Sequence, residues 1–241
     1  MANTPANPSG EPLVIAITGG SGSGKTTFAE LLRKKLEPDA IVLAHDDYYK
    51  HLPDMTREEA ATYDFDSPDA LETDLLVEHL RMLKGGRAVD VPSYNFATHA
   101  RTEGARHVEP APVILVEGLL VTRDPTLFDL FDLLIFLDTD ADVRALRRVE
   151  RDCQERGTDL SRAVAMYLAT SKPAYDAHIE PLKRKADIVI PDMSNERALD
   201  VVAGGIRNLH ESSRAVIPEE PAGAVSYHDS KPSDPETGDA A

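Results

Sequence analysis

The sequence predicts a doubly wound α/β fold, a parallel sheet with helices on both faces. Short, near-continuous apolar runs alternate with helix-patterned segments, the first run passes straight into a glycine-rich loop that opens a helix, and acidic residues stand where later runs end. Strands buried on both faces read as unbroken apolar runs, and parallel neighbours need a helical crossover between them. Ligands of such sheets bind beyond the carboxyl ends of the strands, which brings Gly19 to Thr27, Asp46, Glu117 and Asp138 forward as candidates for one site.

Each element follows in order. Leu13-Val14-Ile15-Ala16-Ile17-Thr18 is the first strand and residues 26–36 its helix. Residues 41–44 form a second strand, followed after a gap by a helix at 70–84, with Ser67 as its N-cap and Pro68 at the first helical position. Between 89 and 110 the pattern shortens to Val89-Asp90-Val91 and Tyr94-Asn95-Phe96, then polar residues with Gly104 as a turn, which predicts a β-hairpin excursion beside the sheet. Strand and helix then alternate at 113–117 and 127–130, 133–138 and 141–156, and 188–191 and 196–210. One main domain is expected at 12–211, with the hairpin at 89–110 and a helical lid at 141–172. It lies between a flexible N-terminus at 1–11 and a disordered acidic tail at 212–241, where Pro218, Pro221, Pro232 and Pro235 stand among acids with few large apolar residues.

Composition narrows the function. The chain has 241 residues, 41% of them hydrophobic, enough for one substantial core. A net charge of −16 argues against a nucleic-acid groove, which needs a basic face. The single cysteine, Cys153, permits no intrachain disulfide, and no apolar run approaches the ~18 residues of a membrane span. The first ten residues lack the charged-then-apolar order of a signal peptide. A cytoplasmic enzyme acting on small molecules, with neither nucleic acid nor membrane as partner, is the expectation.

Gly19-Gly20-Ser21-Gly22-Ser23-Gly24-Lys25-Thr26-Thr27 matches G-x-x-x-x-G-K-[ST] between a buried strand and a helix start. Glycines let successive backbone N–H groups converge on one anion, and the helix adds the positive end of its dipole. Lys25 is placed to reach the β- and γ-phosphates of a nucleoside triphosphate, and the Thr26 hydroxyl to meet Mg²⁺. A flexible Gly/Ser turn would explain the glycines but not the Lys-Thr pair in this context.

Four further groups bear on what happens to the phosphate. Asp46 and Asp47 directly follow the second strand, where an acid could take a proton from an acceptor hydroxyl, or simply cap the next turn. Glu117 ends the strand Val113-Ile114-Leu115-Val116 like a displaced Walker B carboxylate, and its burial calls for a compensating cation, with a metal favoured over an arginine. Arg144, Arg147, Arg148, Arg151 and Arg156 crowd one helical segment, with Arg144, Arg148 and Arg151 on one face. In an acidic chain this suggests a lid over phosphates, although pairing with Glu150, Asp152 and Glu155 must take some of them. Phe65 and Asp66, together with Tyr94, Phe96 and His99, offer flat faces for a base and polar tips for its edge, or, taken singly, core packing.

In this order the pieces resemble the uridine kinase (uridine–cytidine kinase) family, within the phosphoribulokinase/uridine kinase group of P-loop kinases. The resemblance spans about residues 13–209. It rests on the glycine loop, His45-Asp46-Asp47-Tyr48-Tyr49-Lys50, Tyr63-Asp64-Phe65-Asp66-Ser67-Pro68-Asp69-Ala70, Val91-Pro92-Ser93-Tyr94-Asn95-Phe96 with His99 and Arg101, Val116-Glu117-Gly118-Leu119-Leu120, and Arg148 through Gly157. It implies phosphorylation of a pyrimidine nucleoside at its 5′-hydroxyl with ATP or GTP as donor and Mg²⁺ as cofactor. Asp46 rather than Asp47 would be the catalytic base, Thr26 and Glu117 would attend the metal, and Asp66 and Arg148 would hold the ribose. Tyr94 and His99 would read the pyrimidine, Phe65 and Phe96 line its pocket, Arg151 and Arg156 belong to the lid, and Asn195 lie near the adenine. The resemblance also implies a homo-oligomer, usually a tetramer joined through the hairpin region. Two positions depart from the family pattern: Thr158 stands where Arg is usual and Met166 where Gln is usual, so altered nucleoside affinity or preference is expected.

Two alternatives stand beside this reading. A kinase for a sugar phosphate or a pantothenate-like metabolite would need more cations and fewer stacking aromatics. A nucleotide-operated switch would read guanine through Asn-Lys-x-Asp, which the chain lacks.

Overall fold

The structure, a computed structural model, describes residues 11–214 except 53, 56–58, 60–62, 64, 66, 97, 99 and 192. Its sheet is built around β1 (Leu13–Gly19), every residue of which is buried. With β2 (Ala40–Ala44), β7 (Val113–Glu117), β8 (Leu133–Leu137) and β9 (Ile188–Ile190) it forms a five-stranded parallel sheet in the order β2-β7-β1-β8-β9. The order reverses at β1, where the chain crosses from one half of the sheet to the other, and doubly wound sheets open a crevice at such a point.

Alternation along β1 divides the core into two layers. Val14 and Ala16 face Leu76, Val77, Leu80 and Leu83 of α2 (Thr73–Lys84). Ile15 and Ile17 face Phe28, Leu32 and Leu36 of α1 (Lys25–Leu36) together with Leu199, Val202 and Ile206 of the last helix. Fully burying side chains of this size contributes about 1.5–3 kcal/mol each, so two covered faces account for most of the fold's cohesion.

The excursion between 89 and 110 is two nested antiparallel pairs. β3 (Val89–Val91) pairs with β6 (Arg106–Val108), and β4 (Tyr94–Asn95) with β5 (Ala100–Arg101). Gly104 turns with φ +86°, the conformation that favours glycine there.

Caps account for most differences from the expected boundaries. The helix expected at 127–130 is α3 (Pro125–Phe128), started earlier because the Asp124 carboxylate accepts from Leu127 N at 2.9 Å and Pro125 opens the turn. The helix expected at 70–84 is broken. Ser67 caps a 3₁₀ turn at Pro68–Ala70, and Leu71 is extended, bridging to Tyr49, before α2 begins. The lid starts with α4 (Ala141–Gln154) and, after Gly157, continues as α5 (Leu160–Met166), capped by the Asp159 carboxylate at Arg162 N. Helical turns continue along the chain past 172: wide π turns at Tyr167–Ser171 and Tyr175–Ile179 flank α6 (Lys172–Ala174), and a 3₁₀ segment carries the path to Arg184. The closing helix, α7 (Glu196–Arg214), extends three residues into the segment expected to be a loose tail.

Candidate active site

The glycine loop folds as a cradle because two of its glycines occupy conformations other residues resist. Gly22 and Gly24 have φ of +81° and +89°. A Cβ at Gly22 would fall 2.4 Å from the Arg144 carbonyl oxygen, so the loop and the lid helix touch backbone to backbone. Ser23 N closes the turn onto Gly20 O at 3.0 Å, and the Lys25 ammonium folds back to the same carbonyl at 3.1 Å. The next side chain, Thr26, donates to Glu117 Oε1 at 2.8 Å.

Sheet register brings Glu117 to that hydroxyl. It is the last residue of β7, opposite Ile17 of β1 and Ala44 of β2, so it sits between the strand that feeds the glycine loop and the strand that feeds Asp46. Glu117 is 5% exposed. Burial pushes its carboxyl up to about 7; Asp46 and Asp47 act in the same direction, while Lys25 and the Thr26 hydrogen bond oppose them. Lys25 shows the reverse effect. Burial lowers its pKa, the charges of Glu117 and Asp46 resist, and Arg151 and Arg148 add to the lowering.

Asp46 and Asp47 share a 3₁₀ turn, His45–Tyr48, held from beneath by two buried anchors. His45 Nε2 bonds Thr73 Oγ1 at 3.1 Å, with burial pushing that ring down to about 4, and the Tyr48 hydroxyl meets His79 Nδ1 at 2.9 Å. The turn separates the two acids. Asp47 lies 3.8 Å from Arg106 of the hairpin, whereas Asp46 is close enough to Lys25, Glu117 and Arg156 to act on the charge of each.

The same segment carries Tyr49, the centre of an aromatic cluster whose outer faces make the aromatic enclosure of the candidate acceptor side. Tyr49 has its ring centroid 6.2 Å from that of Phe65, 5.2 Å from that of Tyr94 and 5.7 Å from that of Phe96. Its hydroxyl is tied to Phe65 O at 2.9 Å, and Arg101 braces the same segment by reaching Tyr49 O and Glu72 Oε2. The Tyr94 hydroxyl is buried with no hydrogen-bond partner among the described residues, and burial raises its pKa to about 12. The Arg156 guanidinium covers the Phe96 ring at 4.6 Å. Between the glycine loop and the lid lies a narrow cleft bordered by Ser21, Leu120, Arg144, Arg148, Tyr167 and Tyr175.

Residues 14–198 match the phosphoribulokinase / uridine kinase family. The chain belongs to that family. The uridine kinase of Lactobacillus johnsonii is 43% identical over 201 residues, 82% of this chain and 95% of the relative. The uridine kinase of Chloroflexus aggregans is 44% identical over 203 residues, covering 83% and 97%. Among solved structures, phosphoribulokinase from Rhodobacter spheroides superposes with a TM-score of 0.55 at 17% identity, over 78% of this chain and 74% of that one, a likeness of fold. No helix among the described residues is long and apolar enough to cross a membrane.

Within this family framework the fold gathers most of the residues that the sequence singled out. Lys25, Thr26, Asp46, Glu117, Arg148, Arg151 and Arg156 converge at the carboxyl end of the sheet, and Phe65, Tyr94 and Phe96 close one side. Asp66 and His99 lie outside the described residues. Arg144 does not join the other arginines. It donates to Thr139 O at 2.9 Å and stacks on Tyr175 at 3.8 Å, bracing the loop against the lid. Asn195 caps α7, its side-chain oxygen accepting from Ala198 N at 3.1 Å. Of the two departures, Thr158 donates its N–H to Asp152 O at 2.9 Å, and Met166 is an exposed residue at the end of α5.

Two contributors were missed. Tyr49 read as one of a pair after two acids, and its role needs partners from three other segments. Met193 lies against Gly24, where a Cβ would meet its sulfur, and nothing local in the sequence marks a methionine for that place.

Proposed function

We propose that the protein transfers the γ-phosphoryl group of ATP or GTP to the 5′-hydroxyl of uridine or cytidine, yielding the nucleoside monophosphate and the nucleoside diphosphate. The observation that carries this reading is the juxtaposition of a phosphate cradle, an acid at the end of β2 and an aromatic enclosure, in a chain more than 40% identical to uridine kinases over most of its length.

Phosphoryl transfer asks the protein mainly to position groups and to stabilise spread negative charge. The glycine loop's N–H groups and Lys25 hold the triphosphate end. Magnesium prefers hard oxygen ligands and is usually held by one or two protein groups plus substrate phosphates. The Thr26 hydroxyl and the buried Glu117 carboxylate, 2.8 Å apart, fit that requirement. When bound, the ion would neutralise charge on the phosphate oxygens.

Asp46 is the base. It takes the proton of the 5′-hydroxyl as that oxygen attacks the γ-phosphorus, while the bond to the bridging oxygen breaks and the diphosphate departs. Arg148, Arg151 and Arg156 act on the acceptor side and over the transferring group, where fixed cations count for more once water is excluded. Phe65, Tyr94 and Phe96, backed by Tyr49, offer their outer faces and edges to the base, and the Tyr94 hydroxyl, with its hydrogen-bonding capacity unspent, reads the pyrimidine edge. The family resemblance adds Asp66 and Arg148 at the ribose, His99 at the base and Asn195 near the adenine. A sugar phosphate would bring a second anion where this site offers aromatic faces, which disfavours that alternative.

The test is to incubate the full chain with Mg-ATP or Mg-GTP and a panel of nucleosides, sugar phosphates and pantothenate, identifying products by mass. Uridine or cytidine monophosphate is the expected product. Its absence refutes the reading.

A further inference from the structure

Asp152 is an acid buried among the lid's cations. It lies one helical turn after Arg148 on α4, with Arg156 four residues further on and just past the helix end, and it is only 9% exposed. Three guanidiniums surround its carboxylate: Arg148 Nε is 3.4 Å from Oδ2, while Arg151 Nη2 and Arg156 Nη1 are 3.5 and 3.4 Å from Oδ1. None of these is the tight two-bond fork that arginine and carboxylate form at about 2.8 Å. Oδ1 has no hydrogen-bond partner among the described residues, so Asp152 holds the cluster by charge rather than by close hydrogen bonds.

Each arginine leads to a different part of the site. Arg151 Nη2 reaches Ser21 Oγ of the glycine loop at 3.4 Å. Arg156 covers Phe96 in the aromatic enclosure, and Arg148 borders the cleft between loop and lid. Asp152 is thus in contact with all three arms. The cations crowd one another: burial first, then Arg151, lower the pKa of Arg156, with Asp152 acting in the opposite direction. Left without a central anion, three like charges at the end of α4 and the bend after it would separate.

We propose that Asp152 is a positioning residue: its carboxylate gathers Arg148, Arg151 and Arg156 between the glycine loop and the aromatic enclosure and so sets their placement for the acceptor and the transferring phosphoryl group. This rests on the nucleoside-kinase reading. The loop's N–H groups and Lys25 hold the triphosphate without contact to Asp152, so removing the carboxylate is expected to affect the acceptor and the transfer step far more than the affinity for Mg-ATP.

The experiment uses the full chain as Asp152→Asn and Asp152→Ser, measuring kcat, uridine KM and, by calorimetry without nucleoside, the Kd of Mg-ATP. The expected pattern is uridine KM raised at least about fivefold, kcat lowered at least about tenfold and Mg-ATP Kd within about threefold of wild type. Any other pattern overturns the assignment, including a fall in kcat alone, which is the mark of a smaller active fraction. Failure of both variants to fold also overturns it by assigning Asp152 to the fold itself. If the wild-type protein turns over no nucleoside, the functional reading fails, and the assignment is decided by amide hydrogen exchange, which needs no substrate. Asp152→Asn is then expected to speed exchange across residues 144–158 at least about tenfold with the sheet unchanged, and equal exchange overturns the proposal.

Discussion

Replacing Glu117 with glutamine is expected to stabilise the metal-free protein at neutral and alkaline pH while destroying its activity. The carboxylate is buried at the end of β7, with Asp46 and Asp47 near enough to oppose its charge, and its pKa stands at about 7 against 4.5 for an ordinary glutamate. Because the folded-state value is the higher one, the folded protein holds the proton more tightly than the unfolded chain. The stability that this proton brings is fully present below pH 4.5 and is lost as pH rises through about 7. At about 1.4 kcal/mol per pH unit across that window, the cost of the charge reaches ~3 kcal/mol at pH 8 and is under ~1 kcal/mol at pH 5. Glutamine keeps the shape and can still accept from Thr26 Oγ1, so it removes the charge without opening a cavity. Urea unfolding with chelator present, at pH 5 and pH 8 and equal ionic strength, measures both differences. A gain of ~2–3 kcal/mol at pH 8 that shrinks to under ~1 at pH 5 is the expected result, with turnover down at least about 100-fold. A gain of the same size at both pH values, or a loss at pH 8, would refute the reasoning.

Asp46→Asn is expected to lower kcat by ~10²-fold or more with Mg-ATP Kd nearly unchanged, as steady-state kinetics and calorimetry would show; equal weakening of ATP binding would make Asp46 a nucleotide or metal residue instead. Gly22→Ala sets a Cβ 2.4 Å from the Arg144 carbonyl oxygen at φ +81°, and neither backbone can yield cheaply. A stability loss of at least ~2 kcal/mol in urea and ATP affinity down at least about tenfold are expected. Phe96→Ala removes a wall of the enclosure and the ring under Arg156, and should raise uridine KM about tenfold while leaving Mg-ATP Kd within about twofold. Thr158→Arg should lower nucleoside KM if the arginine usual at that position strengthens recognition; an unchanged KM would mean that another group already supplies the contact.

How much of this could be read in advance depended on distance along the chain. The glycine loop was legible because strand, loop and helix are consecutive, and each glycine, the lysine and the threonine act within nine residues. Strand positions were legible for a similar reason, since burial on both faces leaves an unbroken apolar run. Helix starts were less so: the Asp124 cap with Pro125 moved α3 earlier, and the extended Leu71 split a segment whose periodicity looked continuous. Helical structure beyond α5 was not legible, because the turns at Tyr167–Ser171 and Tyr175–Ile179 have π geometry and depart from the 3.6-residue period that marks a helix in a sequence.

The sequence by itself determined the fold class, the glycine loop between strand and helix, and the inventory of acids at strand ends, arginines on one helical segment and aromatics around the hairpin, all of which follow from local spacing and from where apolar runs stop. Only the tertiary structure decided how that inventory divides. Asp46 and Asp47 are adjacent in sequence, yet Arg106 of the hairpin stands beside Asp47 while Asp46 neighbours Lys25 and Glu117. Arg144 shares a helical face with Arg148 and Arg151, yet it braces the glycine loop, and Asp152 gathers its neighbours. These choices depend on which charges and rings meet when distant segments pack, and spacing along one helix or strand carries no information about the partner that will face it.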